Sequence, residues 1–277
     1  MAFFREPRRY HNEYYPPGVF KILACGSSAF IGEVDNATVL KYPIERGYLE
    51  WLEHEHRLLE VIGPHERIIG IAGRGLTEYG LYLERATNGN VFDFLRGHNF
   101  NAMSLRKRLA LCRELTEAVA HIHSRNVLHC DLNPANVLLD EDLHVKLSDF
   151  QGCLLDDGGE TVMSTFVGES WRYHCPSLDG AGAKPSRLTD IFALGSTMHF
   201  IILGEEVFSD IVTGMNNWDT NIRSRFARGV LPDGRHPLAS ITEKCWTRAY
   251  NSATEVVEDI KEVERGWANT FSFASFV

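Results

Sequence analysis

The chain has 277 residues, enough for one large domain or two small lobes at roughly 100–200 residues per domain. Hydrophobic residues make up 44% and charged residues 23%, which excludes a disordered, collagen-like or low-complexity chain. Lys plus Arg number 28 against 37 Asp plus Glu, a net charge of −9, so no nucleic-acid partner is expected, although a local cluster of donors can still hold a small anion.

Six cysteines (Cys25, Cys112, Cys130, Cys153, Cys175 and Cys245) lie far apart, with no C-x-x-C spacing for a metal or redox site. The expectation is reduced thiols in an intracellular, cytoplasmic protein, a nuclear location being left open. The first ten residues carry charges where a signal peptide needs an apolar stretch. The longest apolar segment, Ile191 to Leu203, has 13 residues, whereas a membrane span needs about 20. No membrane partner is expected.

Residues 1–18 are polar and aromatic, end in Pro16-Pro17-Gly18, and read as an N-terminal extension. From there the pattern is β: Val19 to Leu23, a small-residue turn at Cys25 to Ser28, Phe30 to Val34, a turn at Asp35 to Ala37, then Thr38 to Lys41. Leu49 to Ile62 reads as a helix, with Leu52, Leu59 and Ile62 on one face and a stop at Gly63-Pro64. Ile68 to Ile71 and Gly80 to Glu84 read as two more strands. Asn88-Gly89-Asn90 looks like a linker. Ser104 caps a predicted helix from Leu105 to His123, whose apolar residues step by threes and fours. Val137 to Leu139 and Val145 to Leu147 flank a turn and form a hairpin. Helices are predicted at 189–203, 217–228, about 241–247 and 252–263, followed by a tail over 263–277. The fold class is α+β: a small β-rich lobe, then a larger helical one, with a cleft between them as the natural ligand site.

The chemistry concentrates in two strings. His129-Cys130-Asp131-Leu132-Asn133-Pro134-Ala135-Asn136 fits H-x-D-x-x-x-x-N, and Asp149-Phe150-Gln151-Gly152 fits D-F-x-G. Five residues in this register arise by chance about once in ten thousand chains of this length, so the register carries more weight than any one of them. It resembles the catalytic and metal-binding loops of the eukaryotic protein kinase catalytic domain, with the flavour of small stand-alone fungal proteins of that kind. The resemblance covers residues 19–262: an N-lobe of about 19–85, a hinge over 84–90 and a C-lobe of about 91–262.

The resemblance implies a bilobal fold, an ATP- and Mg²⁺- (or Mn²⁺-) dependent transfer to Ser or Thr of a protein substrate, and a monomer. Asp131 would be the base, and Asn136 and Asp149 the metal ligands. Lys41 in Val39-Leu40-Lys41 resembles the strand lysine that meets the phosphates. Glu55 resembles its helix partner, with Glu53 as the rival. Leu83, Glu84 and Ala86 fall where the family's hinge meets adenine, and Asn90 completes that wall. Ser170 to Ser177 resembles T-x-x-Y-x-A-P-E, which puts Ser170 and Tyr173 in the segment facing the substrate. Asp190 to Gly195 resembles D-x-W-x-x-G, whose Asp ties down the catalytic loop.

The departures are specific. Against G-x-G-x-x-G-x-V the chain has Ala24, Gly26, Ala29 and Ile31, so one glycine remains. Cys130 replaces the Arg that receives a phosphorylated activation loop, and Asn133 replaces a Lys that reaches the γ-phosphate. Gln151 stands in place of the D-F-G glycine, and Ser177 in place of the A-P-E glutamate. With no Arg between Ala249 and Glu264, Arg248 is the nearest partner for that last position. Two alternatives follow: a pseudokinase scaffold that binds nucleotide or partner without turnover, and a small-molecule hydroxyl kinase, which shares the H-x-D-x-x-x-x-N loop.

Overall fold

A computed structural model of the protein describes residues 14–96, 99–165, 170–176, 184–232 and 234–273. Strands β1 (Lys21–Cys25), β2 (Ala29–Glu33) and β3 (Thr38–Pro43) precede helix α1 (Glu50–Ile62), and β4 (Ile71–Thr77) and β5 (Gly80–Glu84) follow it. These five strands form one antiparallel sheet in the order β1-β2-β3-β5-β4. Register sets the inner face: Ile31 lies opposite Lys41, and Lys41 opposite Leu81.

After the sheet come α2 (Val91–Arg96), α3 (Asn99–Ala102), α4 (Leu105–Ser124) and β6 (Val127–Leu128). The hairpin β7 (Val137–Leu139) and β8 (Val145–Leu147) leads to β9 (Cys153–Leu155) and β10 (Thr161–Ser164). Helices α5 (Arg187–Leu203), α6 (Trp218–Ala227), α7 (Ala239–Trp246) and α8 (Ala253–Phe273) complete the second lobe. The α+β bilobal class expected from sequence is the observed one.

Helix α5 is buried on every face from Thr189 to Ile202 and mostly apolar, as suits a helix at the centre of a lobe. Its first turn is closed reciprocally: Ser186 Oγ accepts from Thr189 N, and Ser186 N donates to Thr189 Oγ1. Helix α4 starts as predicted, with Ser104 Oγ accepting from Lys107 N at 3.2 Å. A continuous apolar core joins α1, α4, α5, α8 and the hairpin.

The structure differs from the sequence reading in several places. Ile68 and Ile69 are buried but precede β4. They are apolar because they close against β8: Ile69 N donates to Leu147 O and Leu147 N to Arg67 O. The strand itself, Ile71–Thr77, is glycine-rich and irregular, with Gly73 and Gly75 at positive φ. Tyr14, placed in the extension, packs on the sheet, its hydroxyl donating to Pro43 O at 2.8 Å and its ring meeting Tyr42 edge-on. Helix α8 runs on to Phe273 through the predicted tail, because Val256, Ile260, Val263 and Trp267 continue one apolar face toward the core. The short elements α2, α3, β6, β9 and β10 carried too few residues to show a period. Ser177 lies outside the described residues.

Candidate active site

Lys41 stands on β3, facing α1. Its Nζ lies 2.6 Å from Glu55 Oε2 and 2.6 Å from Asp149 Oδ1. Glu55 is the α1 carboxylate turned inward, at 1% exposure, while Glu53 is exposed on the other face, which decides between the two candidates for Lys41's partner. The other oxygen of Glu55 accepts from Phe150 N at 3.3 Å, so α1, β3 and the loop after β8 are tied at one point. Burial opposes the charge of Lys41, but the carboxylates of Asp149 and Glu55 outweigh it and hold the ammonium above its ordinary pKa. Burial likewise works against the Asp149 anion, and Lys41 overrides it, holding that carboxyl below its ordinary value. Burial pushes the Glu55 carboxyl up, against Lys41.

The second group is the loop from His129 to Asn136. Asp131 Oδ1 accepts from Asn133 Nδ2 at 2.9 Å, and Asp131 Oδ2 from Asn136 Nδ2 at 3.0 Å. Both amides also reach the Asp131 carbonyl, at 3.1 and 2.9 Å. Asn133 therefore acts through Asp131, holding the carboxylate in one orientation. The two groups meet at Asn136, whose carbonyl accepts from both Ser148 N and Ser148 Oγ at 3.0 Å, next to Asp149.

A buried carboxylate beneath the loop sets its shape. Asp190, on α5 and fully buried, accepts from His129 N at 2.8 Å, Cys130 N at 2.9 Å and His123 Nε2 at 2.9 Å. Burial works against its charge, and the bond from His123 leads the groups that overcome it and hold the pKa low. Cys130 and Asp149 both adopt left-handed backbone, φ +63° and +65°. Non-glycine residues there cost about 1–3 kcal/mol each and persist only when surrounding bonds over-determine them. Asp190 does this for Cys130, and the Lys41 and Gln151 contacts do it for Asp149, Gln151 Nε2 donating to Asp149 Oδ1 at 3.0 Å.

Gly152 has a different constraint. A Cβ there would lie 1.9 Å from Leu128 O and 2.5 Å from His129 O, so only glycine lets the two loops touch. His54, on α1 beside Glu55, reaches Gly152 O with Nε2 at 2.9 Å, and burial lowers its pKa and keeps the ring neutral. His129 bonds Ser148 O at 3.0 Å, its ring 5.1 Å from that of Phe150. Sequence reasoning missed His54 and the Gln151 bond. The one available signal for His54 was its place beside Glu55, and a helical period without a known partner says little about which face it takes.

The remaining predicted residues are distributed as follows. Ala24, Gly26, Ala29 and Ile31 form the β1–β2 turn and its flanks, closed by Gly26 N to Ala29 O at 2.8 Å. Gly26 has room for a side chain, its nearest neighbour being Ala29 O at 3.6 Å from a Cβ. Leu83 is buried on β5. Glu84 points back, accepting from Gly70 N at 3.0 Å and pairing with Lys146 at 2.7 Å, and its own N–H goes to Gly70 O. Arg85 N goes to Ala37 O, whereas the Ala86 N–H takes no partner among the described residues. Asn90 caps α2, its Oδ1 accepting from Asp93 N and its amide donating to Asp93 Oδ2, both at 2.8 Å. The Ser170 carbonyl closes a turn with Tyr173 N and His174 N, and Tyr173 is buried. Arg248 Nη2 donates to Pro176 O and lies 3.3 Å from Cys175 Sγ, so a late arginine does reach this segment.

The donor set suits a hard divalent cation, which takes oxygen ligands. With its amide nitrogen committed to Asp131, Asn136 keeps Oδ1 for another partner. Asp149 Oδ2 takes no protein donor among the described residues, since Lys41 and Gln151 both use Oδ1.

Comparison with known proteins gives a matching frame. The family model described as "Protein kinase domain" matches residues 39–261, which leaves β1 and β2 outside the match. Over 162 residues the chain is 31% identical to maternal embryonic leucine zipper kinase of Xenopus laevis, covering 57% of this chain and 23% of that protein. Testis-specific serine/threonine-protein kinase 2 of Mus musculus is 31% identical over 135 residues, 47% of this chain and 37% of that protein. Receptor-interacting serine/threonine-protein kinase 1 of Homo sapiens is 24% identical over 181 residues, 58% and 27%. The matches thus span well under half of these relatives' lengths. Among the described residues no helix is long and apolar enough to cross a membrane. With most of its length in the family match, and the matched strings folded into a joined pair of polar clusters, the chain belongs to the protein kinase domain family.

Proposed function

We propose that this chain transfers the γ-phosphoryl group of ATP to Ser or Thr hydroxyls of protein substrates. The reading is carried by one observation: Lys41, Glu55 and Asp149 are joined within 2.6 Å contacts, and the Asn136 carbonyl links that group to the Asp131 loop. Lys41 would contact the nucleotide phosphates, with Glu55 fixing its position. Asn136 Oδ1 and the Asp149 carboxylate would hold Mg²⁺ or Mn²⁺, which when bound neutralises phosphate charge. The turn holding Ala24, Gly26 and Ala29 would cover the nucleotide, with Ile31 and Leu83 as apolar walls, Glu84 and Ala86 offering backbone groups to adenine and Asn90 at the edge. Asp131, oriented by two amides, would accept or orient the proton of the attacking hydroxyl. Ser170 and Tyr173 would border the peptide.

Asn133 brings no charge to the γ-phosphate. Transition-state stabilisation by a cation is worth a few kcal/mol, so a slower enzyme than one with Lys there is the corresponding expectation. The test is thermal unfolding with ATP, with and without Mg²⁺, followed by transfer of labelled phosphate to a mixed protein panel. The reading expects a metal-dependent rise in the unfolding midpoint and labelled phosphoserine or phosphothreonine. A rise without transfer would instead favour the non-catalytic scaffold, and transfer confined to metabolites the small-molecule kinase.

A further inference from the structure

Beside the proposed kinase site lie two thiols that take no part in the phosphoryl transfer. Cys130 lies between His129 and Asp131, and Cys153 opens β9 directly after Gly152. Their sulfurs are 3.7 Å apart, the Cys130 thiol donating to Cys153 Sγ. Both are buried, at 7% and 4% exposure, in a small cluster with Leu128 and the half-buried Leu155, set apart from the main core. The contact is not dictated by strand pairing. In the β6–β9 ladder Cys153 sits opposite Leu128, two residues before Cys130. An extended continuation would carry residue 130 about 6–7 Å further along. The left-handed turn at Cys130, held by the Asp190 carboxylate, curls it back onto Cys153.

We propose that Cys130 and Cys153 form an oxidisable dithiol, a modification site that a small peroxide converts to a disulfide joining the Asp131 loop to β9. A disulfide needs an S–S distance of about 2.05 Å, so the sulfurs must close a further ~1.7 Å. The remainder of the geometry is set by elements that already touch, since Gly152 packs against Leu128 O and His129 O.

The chemistry balances. The thiolate of Cys153 attacks one peroxide oxygen, the O–O bond breaks, and hydroxide leaves, taking a proton to become water. The resulting sulfenic sulfur is attacked by Cys130, an S–S bond forms, the S–O bond breaks and a second water leaves. Two thiols lose two protons and two electrons in total, and one peroxide becomes two waters. Cys153 is the first attacker, because the hydrogen bond from Cys130 stabilises its thiolate and outweighs burial. Burial pushes the Cys112 and Cys245 thiols up, which keeps them unreactive.

The test treats the full chain with hydrogen peroxide, quenches with an alkylating agent under denaturing conditions, and maps peptides by mass spectrometry. The expected result is loss of two hydrogens, a fall from six titratable thiols to four, and one cross-linked peptide pair containing Cys130 and Cys153, all reversed by dithiothreitol. Cys130→Ser and Cys153→Ser should each abolish the cross-link, and either variant alone suffices if the other fails to fold. Retention of six thiols, addition of oxygen without a cross-link, or a cross-link that survives both substitutions would overturn the proposal. The readout is independent of phosphoryl transfer, so its outcome and that of the proposed function are separable.

Discussion

The β1–β2 turn and the loop from His129 to Asn136 both border the candidate site, yet they are built to different standards. In the second, side chains hold the loop at several points. Asp131 is gripped by two amides, the backbone N–H groups of His129 and Cys130 by Asp190, and the His129 ring by Ser148 O. The turn is closed by Gly26 N to Ala29 O and tied to the end of β3 by Ile44 N to Ser28 O, both backbone bonds, and Gly26 to Ser28 are exposed. Two glycines summarise the contrast. Gly152 has no space for a methyl group, and Gly26 has space on a backbone whose φ is not positive. A loop held by specific side chains tolerates little change, whereas a turn held by backbone bonds, which most residues can make, can drift in sequence. That fits the family match, which begins at residue 39, after the turn.

Substitutions can break this comparison. The largest effect belongs to Asp131→Asn. It removes the base and turns an NH2 group toward one of the two amides that hold the carboxylate, so steady-state transfer should fall about 10²–10⁴-fold, with a loss of about 1–3 kcal/mol in stability from the broken amide bond. A fall of less than tenfold would remove Asp131 from the proposed role. Next is Asp190→Ala, which strands three buried donors, and urea denaturation should show a loss of about 3–5 kcal/mol. Gly152→Ala forces a Cβ into the Leu128 carbonyl, with an expected cost of about 3 kcal/mol by the same assay. Gly26→Ala is the smallest, within about 0.5 kcal/mol of wild type and leaning to stabilisation through a less flexible unfolded chain. Equal costs at Gly26 and Gly152 would abolish the distinction drawn here.

Acid offers a graded version. Asp149 and Asp190 are both held below the ordinary carboxylate range. In the unfolded chain they take up protons near pH 4, and in the folded chain only below that. Their contribution is therefore complete above about pH 5 and is lost as pH falls through 4 and below. Lys41 has the opposite sign, its folded pKa being raised. Its contribution is complete below about pH 10 and declines as pH rises beyond that. Urea midpoints measured from pH 3 to 7 should fall steeply at the acid end, and Asp190→Asn should flatten that limb. An unchanged acid limb in the variant would show that the clamp carries little of the stability.

Much of the site was legible before the fold was known, because its residues sit in fixed registers along the chain. Lys41, Glu55, Asp131, Asn136 and Asp149 do gather into two joined clusters. Helix α4 was equally legible, since its cap and its period of threes and fours agree. What stayed hidden depended on partners far away in sequence. Ile68 and Ile69 look like a strand because they are buried against Leu147, 78 or more positions on, and β4 itself is too rich in glycine to show alternation. The Cys130–Cys153 contact and the His54 bond to Gly152 depend on a left-handed turn and a glycine contact that no period announces. The reach of α8 is legible in its sequence, since Val263 and Trp267 continue the spacing of Val256 and Ile260 beyond the predicted end at 263.

The most direct test of the central claim is single-turnover transfer from γ-labelled ATP with Mg²⁺, comparing wild type with Asp149→Ala at matched folded concentration. The account predicts label on Ser or Thr of the protein panel with wild type and none above background with Asp149→Ala. Equal labelling by the two proteins, or none by a wild type that binds ATP, would contradict it.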